Sequence, residues 1–168
     1  IASSPVTNGT ILAAFGRLWV GEDATGDLEY CALLDPSDWS GTGAGALGLE
    51  NVWTLGTDRI YAIEAFGATL CVFGQRHIVL YVDGSGSTIG IDPDNMYVVD
   101  TIEGTGTVHR DSVVRIGEGD IWYVSPMGVQ SLSRAISDKV NPLVDISKNV
   151  RSLVHVPITT NQSPLELI

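Results

Sequence analysis

The sequence predicts an all-β fold of β-propeller-like repeats about 51 residues long, forming about three blades of an incomplete propeller and followed by a short C-terminal helix. Three observations predict it. Leu18, Leu70 and Ile121 recur at intervals of 52 and 51 residues, and Gly16, Gly67 and Gly119 at 51 and 52. Each recurrence sits in the same local plan: an apolar run ending at a glycine, an aromatic-rich strand, then a further strand after a polar turn. Nineteen glycines with only 17% charged residues also suit a turn-rich β chain better than a helical one. A period of roughly 40–50 residues carrying about four strands is the signature of a propeller blade. Repeat units near 10–34, 60–82 and 112–133 organise residues 1–135. Residues 136–168 read as a helix and C-terminal extension that continues into a larger protein.

Taken in order, residues 1–9 are small and polar and read as a loop. An apolar strand over 10–15 turns at Gly16 into a strand over 17–20, anchored by Trp19. GEDATG at 21–26 is a polar turn, and 27–34 gives a strand with Leu28, Tyr30 and Ala32 on one face. DPSDWS at 35–40 is a turn, because aspartate accepts local backbone hydrogen bonds and proline presets φ, with Trp39 capping an apolar edge. GTGAGALG at 41–48 contains a formal GxGxxG at Gly43, Gly45 and Gly48. A phosphate cradle needs a strand before those glycines and a helix after them. Here a turn precedes them, so the stretch reads as a flexible surface loop. A short strand over 52–55 carries Trp53.

The middle unit follows, with strands over 60–66, 68–73 and 77–82 and the turn Gly74-Gln75-Arg76 between the last two. DGSGS at 83–87 breaks the pattern. IDPDN at 91–95 is a second Asp/Pro turn, 96–102 a strand, and 103–111 a loop. Strands over 112–116, 120–124 and 128–132 complete the third unit. Asn141-Pro142 then reads as a helix start, with asparagine as N-cap and proline at the first helical position. Leu143, Ile146, Val150 and Leu153 follow on one helical face, and Pro157 stops it.

The formal net charge is −11, with ten carboxylates in residues 1–84 and ten in 85–168. Such a chain repels phosphates, and it has no basic patch interleaved with aromatics. No stretch reaches the length of a membrane span, and no signal-peptide pattern is present. Cys31 and Cys71 lie in apolar strand patterns and read as small hydrophobes of a reducing compartment. His77, His109 and His155 are far apart and read as surface or edge histidines, without the spacing of paired metal ligands. No GxSxG elbow occurs. The pairs Asp35/Asp38 and Asp92/Asp94 flank prolines, where backbone capping accounts for them. Trp19, Trp53, Phe66, Phe73, Tyr81 and Trp122 read as fillers of the core and of the blade interfaces. No catalytic, cofactor-binding or metal-ligating residue is assigned, and the chain reads as non-enzymatic.

Three stretches together resemble one family: GRLWVGE and LEYCALLDPSDWS within 16–40, IYAIEAFGATLCVFGQRHIVLYV at 60–82, and DSVVRIGEGDIWYVSPMGVQSLS at 111–133, with NPLV at 141–144. They are similar to the β-propeller region of the tail nozzle (tail tubular, or packaged-DNA-stabilising) proteins of short-tailed bacteriophages. The likeness lies in short structural patterns and not in a catalytic motif. It implies a structural virion protein of the tail, assembled in the host cytoplasm. Copies of the chain would form a ring, hexameric in that family, below the portal and adaptor and beside other tail proteins. Double-stranded DNA would be retained by that conduit and pass through it without specific binding. A propeller normally closes with four to eight blades. The expectation is therefore a fragment of a larger tail protein, or partner chains that supply the remainder. The alternative is a carbohydrate-binding or glycan-processing propeller from a receptor-binding tail part, which would bring carboxylates and exposed tryptophans to one pocket. A host-type protein-interaction propeller is a third reading, and it would work without a ring.

Overall fold

The computed structural model describes residues 9–21, 26–49, 52–54, 58–85, 91–117 and 119–137. These residues form three antiparallel meanders in chain order. The first sheet contains β1 (Thr10–Ala14), β2 (Arg17–Gly21), β3 (Asp27–Tyr30) and β4 (Gly45–Gly48), each paired with the next. The second contains β5 (Ala62–Phe66), β6 (Thr69–Phe73), β7 (His77–Asp83) and β8 (Met96–Glu103). The third contains β9 (Val113–Ile116), β10 (Asp120–Ser125) and β11 (Gly128–Ser131). A helix, α1 (Leu132–Ser137), follows β11 directly.

Turn chemistry sets the hairpins. The β1–β2 turn places Phe15 at φ 55° and Gly16 at φ 71°. Positive φ at both central residues gives the turn whose twist matches the flanking strands. The register is then Ile11 opposite Val20, Leu12 opposite Trp19, and Ala13 opposite Leu18. The β5–β6 hairpin pairs Ile63 with Val72 and Ala65 with Leu70. Alternation along each strand sends these pairs to one face and their neighbours to the other.

The sheets stack face to face in chain order. One face of the first sheet (Leu12, Trp19, Leu28, Tyr30) packs on the Ile63, Leu70, Val72, Val79 and Tyr81 face of the second. The opposite face of the second sheet (Ala62, Cys71, Phe73, Ile78, Leu80) packs on Ile121 and Tyr123 of the third, with Leu132 and Ala135 of α1. Phe73 and Tyr123 meet with ring centroids 5.5 Å apart. The second sheet is thus covered on both faces, which is why it reads as nearly continuous apolar sequence. The first strands adjoin: β1 lies beside β5, and β5 beside β9.

Several expectations are corrected. Residues 41–48 are not wholly a loop, since Gly45–Gly48 pairs with β3 as a fourth strand. Gly45 lies so close to Tyr30 that a Cβ there would sit 2.8 Å from the Tyr30 hydroxyl. Residues 52–54 are not a strand, although Trp53 is buried as expected. The middle unit gains β8 as its fourth strand. The third ends at Ser131, and α1 begins at Leu132, so residues 132–135 of the span assigned to repeats are helix and Leu132 is not the strand residue expected. The helix expected from Asn141 lies outside the described residues.

Candidate functional site

The polar residues that the fold gathers are structural in their bonding. Asp58 lies ahead of β5, and His77 opens β7. The His77 Nδ1 atom is 2.8 Å from Asp58 Oδ2, and His77 is fully buried, not at a surface or edge. Asp58 also accepts from the backbone N–H groups of Arg59, Gln75 and Arg76 at 2.8, 3.0 and 2.8 Å. The carboxylate thereby holds the β6–β7 turn. Burial alone would raise the Asp58 carboxyl, but hydrogen bonds from His77 and from these backbone groups outweigh it and hold the group below its usual range. The Trp53 ring tilts over the imidazole with centroids 5.6 Å apart. His109 is half-exposed, and its Nδ1 accepts from the Asp111 backbone. His155 lies outside the described residues.

The turn carboxylates cap as the sequence suggests. Asp35 accepts from the Ser37 backbone and hydroxyl, Asp38 from the Ser40 and Gly41 backbone, and Asp92 from the Asp94 backbone and the Asn95 amide. Asp120 accepts from the Trp122 indole, the Ser131 hydroxyl and the Ser133 backbone, tying β10 to the start of α1. Burial pushes its carboxyl up, and the Ser131 and Ser133 bonds more than offset this, leaving it lowered. Arg17 donates to the carbonyls of Cys31, Gly43 and Ile91, and its guanidinium lies over the Tyr30 ring. Cys31 and Cys71 are free and buried. Among the described residues, no group of three or more His, Cys, Asp or Glu side chains is placed to hold a metal ion.

The fold leaves apolar side chains open at Leu33 and Leu34 after β3, at Tyr97, Val98 and Val99 on β8, and on the outward faces at the two ends of the stack. The outer face of the first sheet carries Ile11, Ala13, Leu18 and Val20, two cross-strand pairs beside the β1–β2 turn. These are the same residues, in the same order and pairing, as Ile63, Ala65, Leu70 and Val72 of the second sheet. The inner set is covered by the first sheet. The outer set is open only in part: Ile11 is 65% exposed, against 4% for Ile63, and Ala13 is exposed, whereas Leu18 is half-buried and Val20 is buried. The outer face of the third sheet pairs Val114 with Trp122, next to Ile116. It repeats the Leu12–Trp19 pair of the first sheet's inner face. Val114 is 53% exposed and Trp122 38%, so of the expected roles, filler of the core or of a blade interface, Trp122 does not take the first. The residue match was visible in the sequence, since all four members recur at a spacing of 52. Which copy would be covered was not, because alternation defines faces without naming their neighbours.

No helix among the described residues is long and apolar enough to cross a membrane. No protein-family model matches the chain, and no curated protein matches it by sequence.

Proposed function

We propose that this chain is a structural component of a phage tail nozzle. In this reading it is a non-enzymatic propeller protein whose copies build a ring-shaped conduit that retains the genome and then passes it. The observation that carries the reading is the stack itself. Three antiparallel meanders follow one another in chain order, face on face, with their first strands adjoining. Successive propeller blades have that layout, with first strands nearest a central axis. The charge supports it as well. A wall carrying −11 per copy offers phosphates no grip, so DNA slides instead of binding. Asp35, Asp38, Asp58 and Asp92 are engaged in holding turns, which suits a scaffold. Trp122 lies against Asp120, but Trp19 and Trp53 are buried, so the described residues do not gather several exposed tryptophans as the glycan-binding alternative would.

Negative-stain microscopy of the purified protein tests the proposal, together with a gel-shift titration using duplex DNA. Rings with a central pore and no retarded DNA at about 150 mM salt are expected. Isolated monomers at every concentration, or tight duplex binding, would overturn it.

A further inference from the structure

We infer that copies of this chain associate head to tail, the outer face of the third sheet on one copy seating against the outer face of the first sheet on the next. The inference deepens the ring reading above and shares its premise of self-association, but it needs no DNA. Its ground is internal, because the molecule already contains this contact once. Within the chain, the Leu12–Trp19 face of the first sheet covers the Ile63, Leu70 and Val72 face of the second. At one end of the stack a Val114–Trp122 pair repeats the covering element. At the other end, Ile11, Ala13 and Leu18 repeat the receiving element residue for residue. Among the described residues Ile11 and Ala13 are exposed at one end and Val114, Ile116 and Trp122 at the other, while Val20 is already buried. A second copy therefore brings a covering surface to a receiving surface whose side chains already pack this way between the first and second sheets.

The internal contact sets β1 and β2 against β5 and extends to the third strands through Leu28, Tyr30, Val79 and Tyr81. The polar members of the open faces are Glu29 and Ser131 on third strands and Asp120 on β10, whose carboxylate is engaged by the Trp122 indole and the Ser131 hydroxyl. The two surfaces differ from each other, so the contact is heterologous. It propagates from copy to copy and either closes into a ring or continues as a filament, according to its rotation. Each copy carries −11, so copies repel at long range. Added salt screens that repulsion and leaves the apolar contact intact, so association strengthens with ionic strength.

The test uses the whole 168-residue chain with Ile11→Cys and Val114→Cys made separately. Under mild oxidation, a mixture of the two variants is expected to give an interchain disulfide, and either variant alone little or none. The parent chain, whose cysteines are buried, serves as the control. In sedimentation velocity, Ile11→Arg and Val114→Lys should each weaken association at least about tenfold, as expected for a charge placed in the centre of an apolar contact. Circular dichroism melts at dilution check that each variant is folded. If Val114→Lys does not fold, the cysteine pair decides the matter. Parent protein that sediments as a monomer throughout would sink both this contact and the ring. Association that survives both charged variants, or cross-links formed like with like, would overturn the contact and leave the ring reading standing.

Discussion

Ile63 and Ile11 occupy the same position in equivalent hairpins, so changing each to alanine isolates the effect of a covering sheet. Removing three carbons from a fully buried isoleucine forfeits about 2.4 kcal/mol of transfer free energy, at ~0.8 per carbon. The cavity left between two packed sheets adds roughly 1–2 kcal/mol. Ile63→Ala is therefore expected to cost about 3.4–4.4 kcal/mol. Ile11 has about a third of its surface covered, and the space beside it is open to water. Its truncation should cost about 0.8 kcal/mol with no cavity contribution. The gap of roughly 2.6–3.6 kcal/mol corresponds to about a hundredfold or more in the folding equilibrium. Urea titrations followed by fluorescence of the buried Trp19 and Trp53 measure it, at several protein dilutions and with slopes checked for constancy. Costs for the two sites within about 0.5 kcal/mol of each other at every dilution would refute the face assignment.

Three further outcomes follow from other contacts. Asp58 and Asp120 are held below their ordinary range, so the unfolded chain takes up their protons first as pH falls. Their stabilisation is complete above the unfolded value of about 3.9 and is lost as pH drops through the lower folded values. Stability should be flat above about pH 5 and fall below about pH 4, and Asp58→Asn should weaken that acid limb while lowering stability at pH 7; an unchanged limb in melts across this range counts against the assignment. Gly106→Ala would drive a Cβ into the Gly74 carbonyl and the Gln75 backbone, which cannot rotate away. A loss of about 1–3 kcal/mol or more in denaturant titration is expected, and a neutral result would mean the loop does not pack on that turn. Burial, with a smaller contribution from Glu64, pushes the Cys71 thiol up to about 12. Cys71 should stay unlabelled by a thiol reagent at pH 8 until denaturant is added, and prompt labelling would contradict its place between two sheets.

The strand pattern was legible where local chemistry decides it. The β1–β2 and β5–β6 hairpins are apolar runs broken by a glycine, and the Asp/Pro turns carry their own capping carboxylates. The rest depends on distant partners. Gly45–Gly48 has little intrinsic preference for a strand, and it becomes one because β3 supplies a ladder for it. His77 looked peripheral because its partner lies 19 residues earlier, in a segment without periodicity. Trp53 is buried against that imidazole and not through strand pairing. Trp122 alternates with Ile121 and Tyr123 as a strand residue should, yet it faces outward because α1 and the second sheet take the other side. For the open faces, the repeat was readable, and the missing information was which members of the repeat have a neighbour.

The two-sided burial of the second sheet also imposes an order of events during synthesis. Its strands pair with their nearest neighbours in sequence, so the sheet can form soon after it leaves the ribosome. The cover for Cys71, Phe73 and Ile78 comes from Ile121, Tyr123 and Leu132, which are translated later. At about 5–20 residues per second, that face stays bare for a few seconds on every nascent chain. A chain halted in this interval presents an apolar sheet with nothing to cover it. The third sheet and α1 therefore complete the cover of the second sheet, and slow translation through them would raise the yield of aggregated chains before it affected the stability of any folded one.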